Sequence, residues 1–444
     1  MNSFVNQGKV PTADDFTTRK FYARKDTLIN ATGHDWTRPM EEGPWDIGFE
    51  TSYITAGGIQ SPPYAFIRNN TLDVPLGDII KWHEGDYKMP RGLSSIKSQG
   101  EGSKDWDSTS YNMILVNETN AFLDENKEKD DPFFAYVALG AVHLPNTPPD
   151  HFSDGSKVAG EYGTPHMDVL LEMDKVVGAL VQSLRDREML EDTIIIFTSD
   201  NGGLNQETRS DVYGHYSNGP LRGAKGEVYE GGIRVPLTFR WDNGLIPKGE
   251  TRSKLIGLND LYKTICGLVG VEPPENQAVD SINFSKYVLN ENKKAGLRKF
   301  QGAWMYKSSR LVSETMRFRE MKLVRSYQNN TFELYNLTAD ISETRDISED
   351  NVALVNKIYQ KLRADGPCYD KYGLFKVKTT NKRRSYSYKS CYWFRQKRTA
   401  KRCNKFPEAK IHCRQSCSGR NSQYCALDLY SEEKLFKIYS NTYR

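Results

Sequence analysis

The sequence predicts an α/β domain with a mixed or parallel sheet flanked by helices. A smaller antiparallel sheet and a basic, cysteine-rich appendage follow it. Three observations carry this reading. Between residues 132 and 199 a strand-like run, a long amphipathic helix and a second strand-like run follow one another, the order of a βαβ crossover. From about residue 300 the pattern shortens to MKLVRSY and TFELYNL, which suits antiparallel strands. Six of the seven cysteines then fall between Cys368 and Cys425. The expected divisions are residues 1–300, 301–365 and 366–444.

The first 50 residues have little periodicity. PWDIGFETSYITAGGIQSPPYAF reads as loops with short strands, being rich in turn residues and aromatics. The stretch from Asp107 has helical spacing at Met113, Val116 and Asn120/Ala121. PFFAYVAL, from Pro132, has no polar alternation, so a strand buried on both faces is expected there. It breaks at Gly140 into the proline-rich AVHLPNTPPD. Thr164 suits an N-cap and Pro165 the first helical position. Met167, Leu170, Leu171, Val177, Leu180 and Leu184 then form one apolar stripe. TIIIFTS and VPLTFRW read as strands, and LNDLYKTICGLVGV as a helix.

Composition narrows the setting. No apolar run approaches the ~20 residues needed to span a bilayer as a helix. MNSFVNQGKV lacks the basic-then-apolar pattern of a signal peptide. Sequons at Asn30, Asn69, Asn117, Asn283, Asn329 and Asn336, with the clustered cysteines, nevertheless point to the secretory pathway, an extracellular or lysosome-like lumen. Residues 381–420 hold 13 Lys/Arg against one acid, Glu408, a net +12; the remainder has 48 bases against 56 acids, −8. The appendage is therefore a candidate polyanion binder. A sulfated or acidic polysaccharide fits that compartment better than nucleic acid, which is not expected.

Three sites stand out. Ligands of open α/β sheets sit beyond the carboxyl ends of the strands. TIIIFTS ends there in Asp200, Asn201, Gly202 and Gly203. Asp and Asn offer hard oxygen ligands that suit Ca²⁺ or Mg²⁺ rather than a soft metal, although a plain turn accounts for the same four letters. In GPLRGAKGEVYEGGIRVP, Arg222, Lys225 and Arg234 lie among five glycines, a composition suited to an anion or to a solvated loop. His143 follows the first strand-like run and could donate a proton or bond an anion, or be structural.

Taken together, AYVALGAVHLPNTPPDHF, HMDVLLEMDKVVGAL, IIIFTSDNGG, GPLRGAKGEVYEGGIRVP and FELYNLTADISETRDIS resemble, in order, the blocks of the sulfatase family. The resemblance runs from about Pro44 to about Ser348. It implies an alkaline-phosphatase-like fold and hydrolysis of sulfate esters, of a small molecule or a polysaccharide, around calcium. It also implies that Asp200 and Asn201 are metal ligands, and that His143 and Lys225 bind the sulfate group and stabilise charge on it or on the leaving oxygen. It assigns no catalytic role to Arg222 or Arg234.

Two family elements have no counterpart in the sequence. One is an aspartate pair completing the metal site; Asp14-Asp15 follows no buried strand and reads as surface charge. The other is the C-x-P-x-R nucleophile motif, or its serine version, oxidised to formylglycine. Cys266, in KTICGLVG, lacks the Pro and Arg and reads as a small buried hydrophobe. Lys81-Trp82-His83 copies part of a G-K-W-H motif, but downstream of Gly48-Phe49 rather than upstream, and reads as coincidence. The expectation is a sulfatase lacking its N-terminal segment, inactive as given, with a catalytically inactive binder of anionic glycans as the alternative. The last six cysteines loosely resemble a small extracellular module of the ShK type, with their pairing open.

Overall fold

The computed structural model describes residues 36–80, 100–204, 215–244, 246–274, 277–291, 297–307, 310–365, 375–378 and 386–389. Asp14-Asp15, Lys81-Trp82-His83, the six clustered cysteines and most of the basic segment 381–420 lie outside them. The chain divides into two compact units. The first comprises residues up to Phe197, with 205–217 and 238–248; the second comprises 198–204, 218–237 and the chain from Gly249 onward.

In the first unit, β1 (Tyr53–Thr55), β2 (Phe66–Arg68) and β3 (Thr71–Leu72) form a small antiparallel sheet. β4 (Leu76–Ile80) pairs antiparallel with β5 (Gly100–Ser103). The helix expected after Asp107 is α1 (Tyr111–Asn126). It packs on α2 (Pro165–Asp186). Thr164 caps α2 as its sequence predicts, its side chain accepting the Met167 N–H at 3.3 Å. Of the expected stripe, Leu171 and Leu180 pack against a core of Val116, Phe152, Val158 and the neighbouring Val176, and Leu184 is buried with Leu123 and Leu190. TIIIFTS supplies β6 (Ile195–Thr198), which pairs with β7 (Leu237–Arg240).

The strand expected at PFFAYVAL does not form. Residues 132–140 have no regular structure, and Phe134 and Tyr136 are 57% and 68% exposed. Only Phe133 and Leu139 turn inward, against the cores around Leu123 and Leu115. An apolar run becomes a buried strand only where neighbouring strands complete its hydrogen bonds; among the described residues none pairs with this one. β6 is likewise half-buried rather than enclosed.

In the second unit the antiparallel sheet is present as expected. β8 (Phe300–Lys307), β9 (Arg310–Phe318), β10 (Met321–Ser326) and β11 (Thr331–Asn336) lie in the spatial order 11-10-9-8. One face carries Met316, Leu323 and Leu334. A C-terminal helix, Val352–Asp365, covers them with Val355, Ile358 and Leu362. KTICGLVG lies on the helix Leu261–Leu268, where Cys266 is a free, half-buried thiol. A short helix, Glu230–Ile233, begins one residue after Tyr229.

Candidate functional site

Within the second unit, backbone bonds fasten the segment of Asp200 and Asn201 to the segment of Lys225. The Lys225 N–H donates to Gly203 O at 2.7 Å, and the Gly202 N–H to Gly232 O at 3.0 Å. Asn218 pins the same place, accepting from Gly203 N–H on Oδ1 at 2.8 Å and donating to Gly223 O at 3.0 Å. Gly202 is required because the segments touch: a Cβ there would stand 1.8 Å from Gly231 O. Backbone cannot yield as a flexible side chain does. Gly202→Ala is therefore expected to part the two segments and lower stability by about 2 kcal/mol or more, read as a lower urea midpoint at unchanged slope. A midpoint equal to wild type would show that the close approach is not maintained.

The side chains on this rim are open. Asp200 and Lys225 are exposed, and among the described residues neither carboxylate nor ammonium has an ion-pair or hydrogen-bond partner. Asn201 spends its Nδ2 on Gly202 O at 3.0 Å, which leaves Oδ1 free to bind a cation.

The other cations of the loop are occupied. Arg222 lies 3.9 Å over the Tyr229 ring and donates to Tyr335 Oη at 2.7 Å and to Glu343 O at 3.0 Å. Arg234 pairs with Glu230 at 3.2 Å. Both side chains are thus held by the protein's own groups.

Beneath the loop lies a buried charge network without any signal in the sequence. Lys322, on β10, has its Nζ 2.9 Å from Glu230 Oε1 and 2.8 Å from Glu343 Oε1. The first contact is a hydrogen bond; the second is an ion pair at an angle outside hydrogen-bond geometry. Glu343 Oε2 accepts the Glu230 N–H at 2.7 Å and so holds the start of the short helix. Burial pushes the Glu230 carboxyl up, but Lys322, Arg317 and Arg234 outweigh it and hold it below the usual range. For Glu343 burial prevails over Lys322, and its carboxyl is raised.

His143 belongs to the first unit. Its N–H donates to Gly140 O at 2.8 Å, closing a turn, and its Nδ1 lies 2.7 Å from Leu144 O. Asn146 bonds Val142 O and His143 O. The turn hangs from Asn112, whose Oδ1 accepts the N–H groups of Gly140 and Ala141.

The sulfatase family model matches residues 61–271, and the model of the C-terminal part of N-sulphoglucosamine sulphohydrolase matches residues 224–365. An N-acetylgalactosamine-6-O-sulfatase of Bacteroides thetaiotaomicron is 24% identical over 374 residues, covering 75% of this chain and 71% of that protein. The chain belongs to the sulfatase family. The N-acetylgalactosamine-6-sulfatases of pig and human are 33% and 31% identical over 177 residues, covering 40% of this sulfatase chain and 32% of each relative. The chain thus spans most of the bacterial sulfatase but about a third of these mammalian ones. A solved structure from a Bacteroides thetaiotaomicron glycosaminoglycan-metabolism locus superposes with a TM-score of 0.63 at 21% identity, covering 81% of this chain and 83% of that one. The sulfatase fold, alkaline-phosphatase-like, is the expected one.

Sulfatases generally use a divalent metal. Asp200 and Asn201 offer two of the six to eight oxygens that calcium takes. Among the described residues no cluster of three or more His, Cys, Asp or Glu converges as a metal site. Two oxygen donors fall short of that number, so the described residues alone do not make up a metal site.

Proposed function

We propose that the protein hydrolyses sulfate esters of sulfated sugars or polysaccharides, with Asp200 and Asn201 as two ligands of a calcium ion and Lys225 and His143 as sulfate-binding groups. The observation that carries this reading is the backbone fastening, which gives one rim a carboxylate, an amide oxygen and an ammonium that have no partner among the described residues. Oxygen-only donors favour a hard cation, Ca²⁺ or Mg²⁺, over softer metals, and the family resemblance favours Ca²⁺. Lys225 would oppose charge on the sulfuryl oxygens, and His143 would bond the anion or supply a proton to the leaving oxygen. Several relatives are named for sulfated N-acetylgalactosamine, which makes a sulfated amino sugar the first substrate to try. The sequons and clustered cysteines support an oxidising secretory or extracellular setting.

A second reading has its own observation. The 444 residues contain no C-x-P-x-R motif or serine counterpart, so no described group attacks sulfur. A sulfatase-like protein without that group would bind anionic glycans and turn nothing over, aided by the basic segment 381–420.

Both readings meet one experiment: sulfate release from an aryl sulfate and from 6-sulfated N-acetylgalactosamine, with calcium or chelator, beside retention on a sulfated-glycan column. Chelator-sensitive turnover that falls about 10²-fold or more in Lys225→Ala supports hydrolysis. Salt-sensitive retention without turnover selects binding. Turnover unaffected by Lys225→Ala removes Lys225 from the site, and neither turnover nor retention removes both readings.

A further inference from the structure

We propose that Glu172 and Asn112 are positioning residues for the turn that carries His143, with Glu172 acting through the Asn112 amide and its ionisation deciding how firmly that turn is held. The link to sulfate-ester chemistry rests on the reading of His143 above; the positioning itself does not.

Glu172 lies on α2 and is 2% exposed, and Asn112, near the start of α1, is 3% exposed. The Asn112 Nδ2 donates to Glu172 Oε1 at 2.9 Å. On its other side Asn112 Oδ1 accepts the N–H groups of Gly140 at 3.0 Å and Ala141 at 3.2 Å. Gly140 O then accepts the His143 N–H. One uninterrupted chain of bonds therefore leads from a buried acid to the backbone of His143. Gly140 is pressed against α1, since a Cβ on it would stand 2.8 Å from the Tyr111 ring.

The chemistry of an amide gives this chain a direction. An ionised carboxylate only accepts, so it admits one orientation of Asn112, with Nδ2 toward the acid and Oδ1 toward the backbone N–H groups. A protonated carboxyl can also donate, and it then tolerates the flipped amide. The flipped amide would set Nδ2 against two N–H donors and release the turn. Glu172 has no other reason to be ionised there: among the described residues its one side-chain partner is Asn112. Burial pushes its carboxyl up to about 7, with the Asn112 bond opposing that shift.

The surrounding titratable groups are engaged elsewhere. Tyr111, on α1, has its hydroxyl 3.2 Å from Thr55 Oγ1, and His143 has its Nδ1 on Leu144 O. On α2, Asp168 accepts from Gly160 and Tyr162, Lys175 pairs with Asp154, and Asp174 is exposed. His166, also on α2, is buried and its ring faces that of His215 at 6.5 Å.

Amide hydrogen exchange on the 444-residue chain tests this, as protection factors at Gly140 and Ala141 between about pH 5.5 and about pH 8.5. In the wild type, protection should rise about tenfold or more through a midpoint shared with the Glu172 carboxyl, followed by its ¹³C shift. Glu172→Gln, neutral and of the same shape, should show the low protection at every pH. Wild-type protection of Glu172→Gln at high pH, or a wild-type profile without a step where the carboxyl titrates, would overturn the proposal. The second outcome needs no variant to fold. The readout also needs no substrate, so absence of turnover bears on the proposed function and not on this result.

Discussion

Replacing Lys322 by alanine is expected to destabilise the protein by about 3–5 kcal/mol, because removing one partner of a buried pair strands the rest. Lys322 is 1% exposed at its side chain and lies between Glu230 and Glu343, which are themselves buried. Without the ammonium two carboxylates share one dry site, and at least one must take up a proton. The loss should therefore be larger at pH 8 than at pH 5. Arg317, 3.5 Å from Glu230 Oε2, offsets only part of it. Urea unfolding of Lys322→Ala at the two pH values reads both effects. Glu343→Gln added to that variant should recover part of the loss, since it removes the carboxylate that is already raised. A single-variant loss under about 1 kcal/mol would mean that water reaches the cluster.

Glu172→Gln should do the opposite globally, in a pH-dependent way. The Glu172 carboxyl moves from 4.5 to about 7 on folding. A raised acid contributes stability that is complete below its unfolded value and is lost as pH rises through its folded value. The wild type therefore loses stability between about pH 4.5 and pH 7 from this group alone, by about 3 kcal/mol at most for a shift of this size. Glu172→Gln should escape that loss. It should melt higher than wild type at pH 8 and close to wild type at pH 4.5, even while the His143 turn exchanges faster. Equal melting at pH 8 would mean that the carboxyl is hydrated and not raised.

The elements legible in the sequence are those whose determinants are local. Thr164 and Pro165 start α2 because a cap and a fixed φ act within one turn. The strands at MKLVRSY and TFELYNL were legible because their partners are adjacent in the chain. PFFAYVAL misleads because its letters record what a strand needs and not what stands beside it. Asp200, Asn201 and Lys225 could be picked from the sequence as candidates, but nothing in it places Gly202 against Gly231. The Lys322–Glu230 and Asn112–Glu172 pairs join residues 92 and 60 positions apart. No periodicity reports such a pair, because a buried Lys in a strand spells like an exposed one.

The Lys322 network also decides what breaks together. The Lys225 loop is clamped from below by β10 through Lys322 and by Arg222 on Tyr335 of β11. Loop and sheet thus form one cooperative unit, opening and closing together rather than piecemeal. A nick or frame loss anywhere in residues 300–345 would leave every letter of GPLRGAKGEVYEGGIRVP intact and take away its shape. Harm to the Lys225 loop can therefore arise a hundred residues downstream of it, in the sheet that holds it.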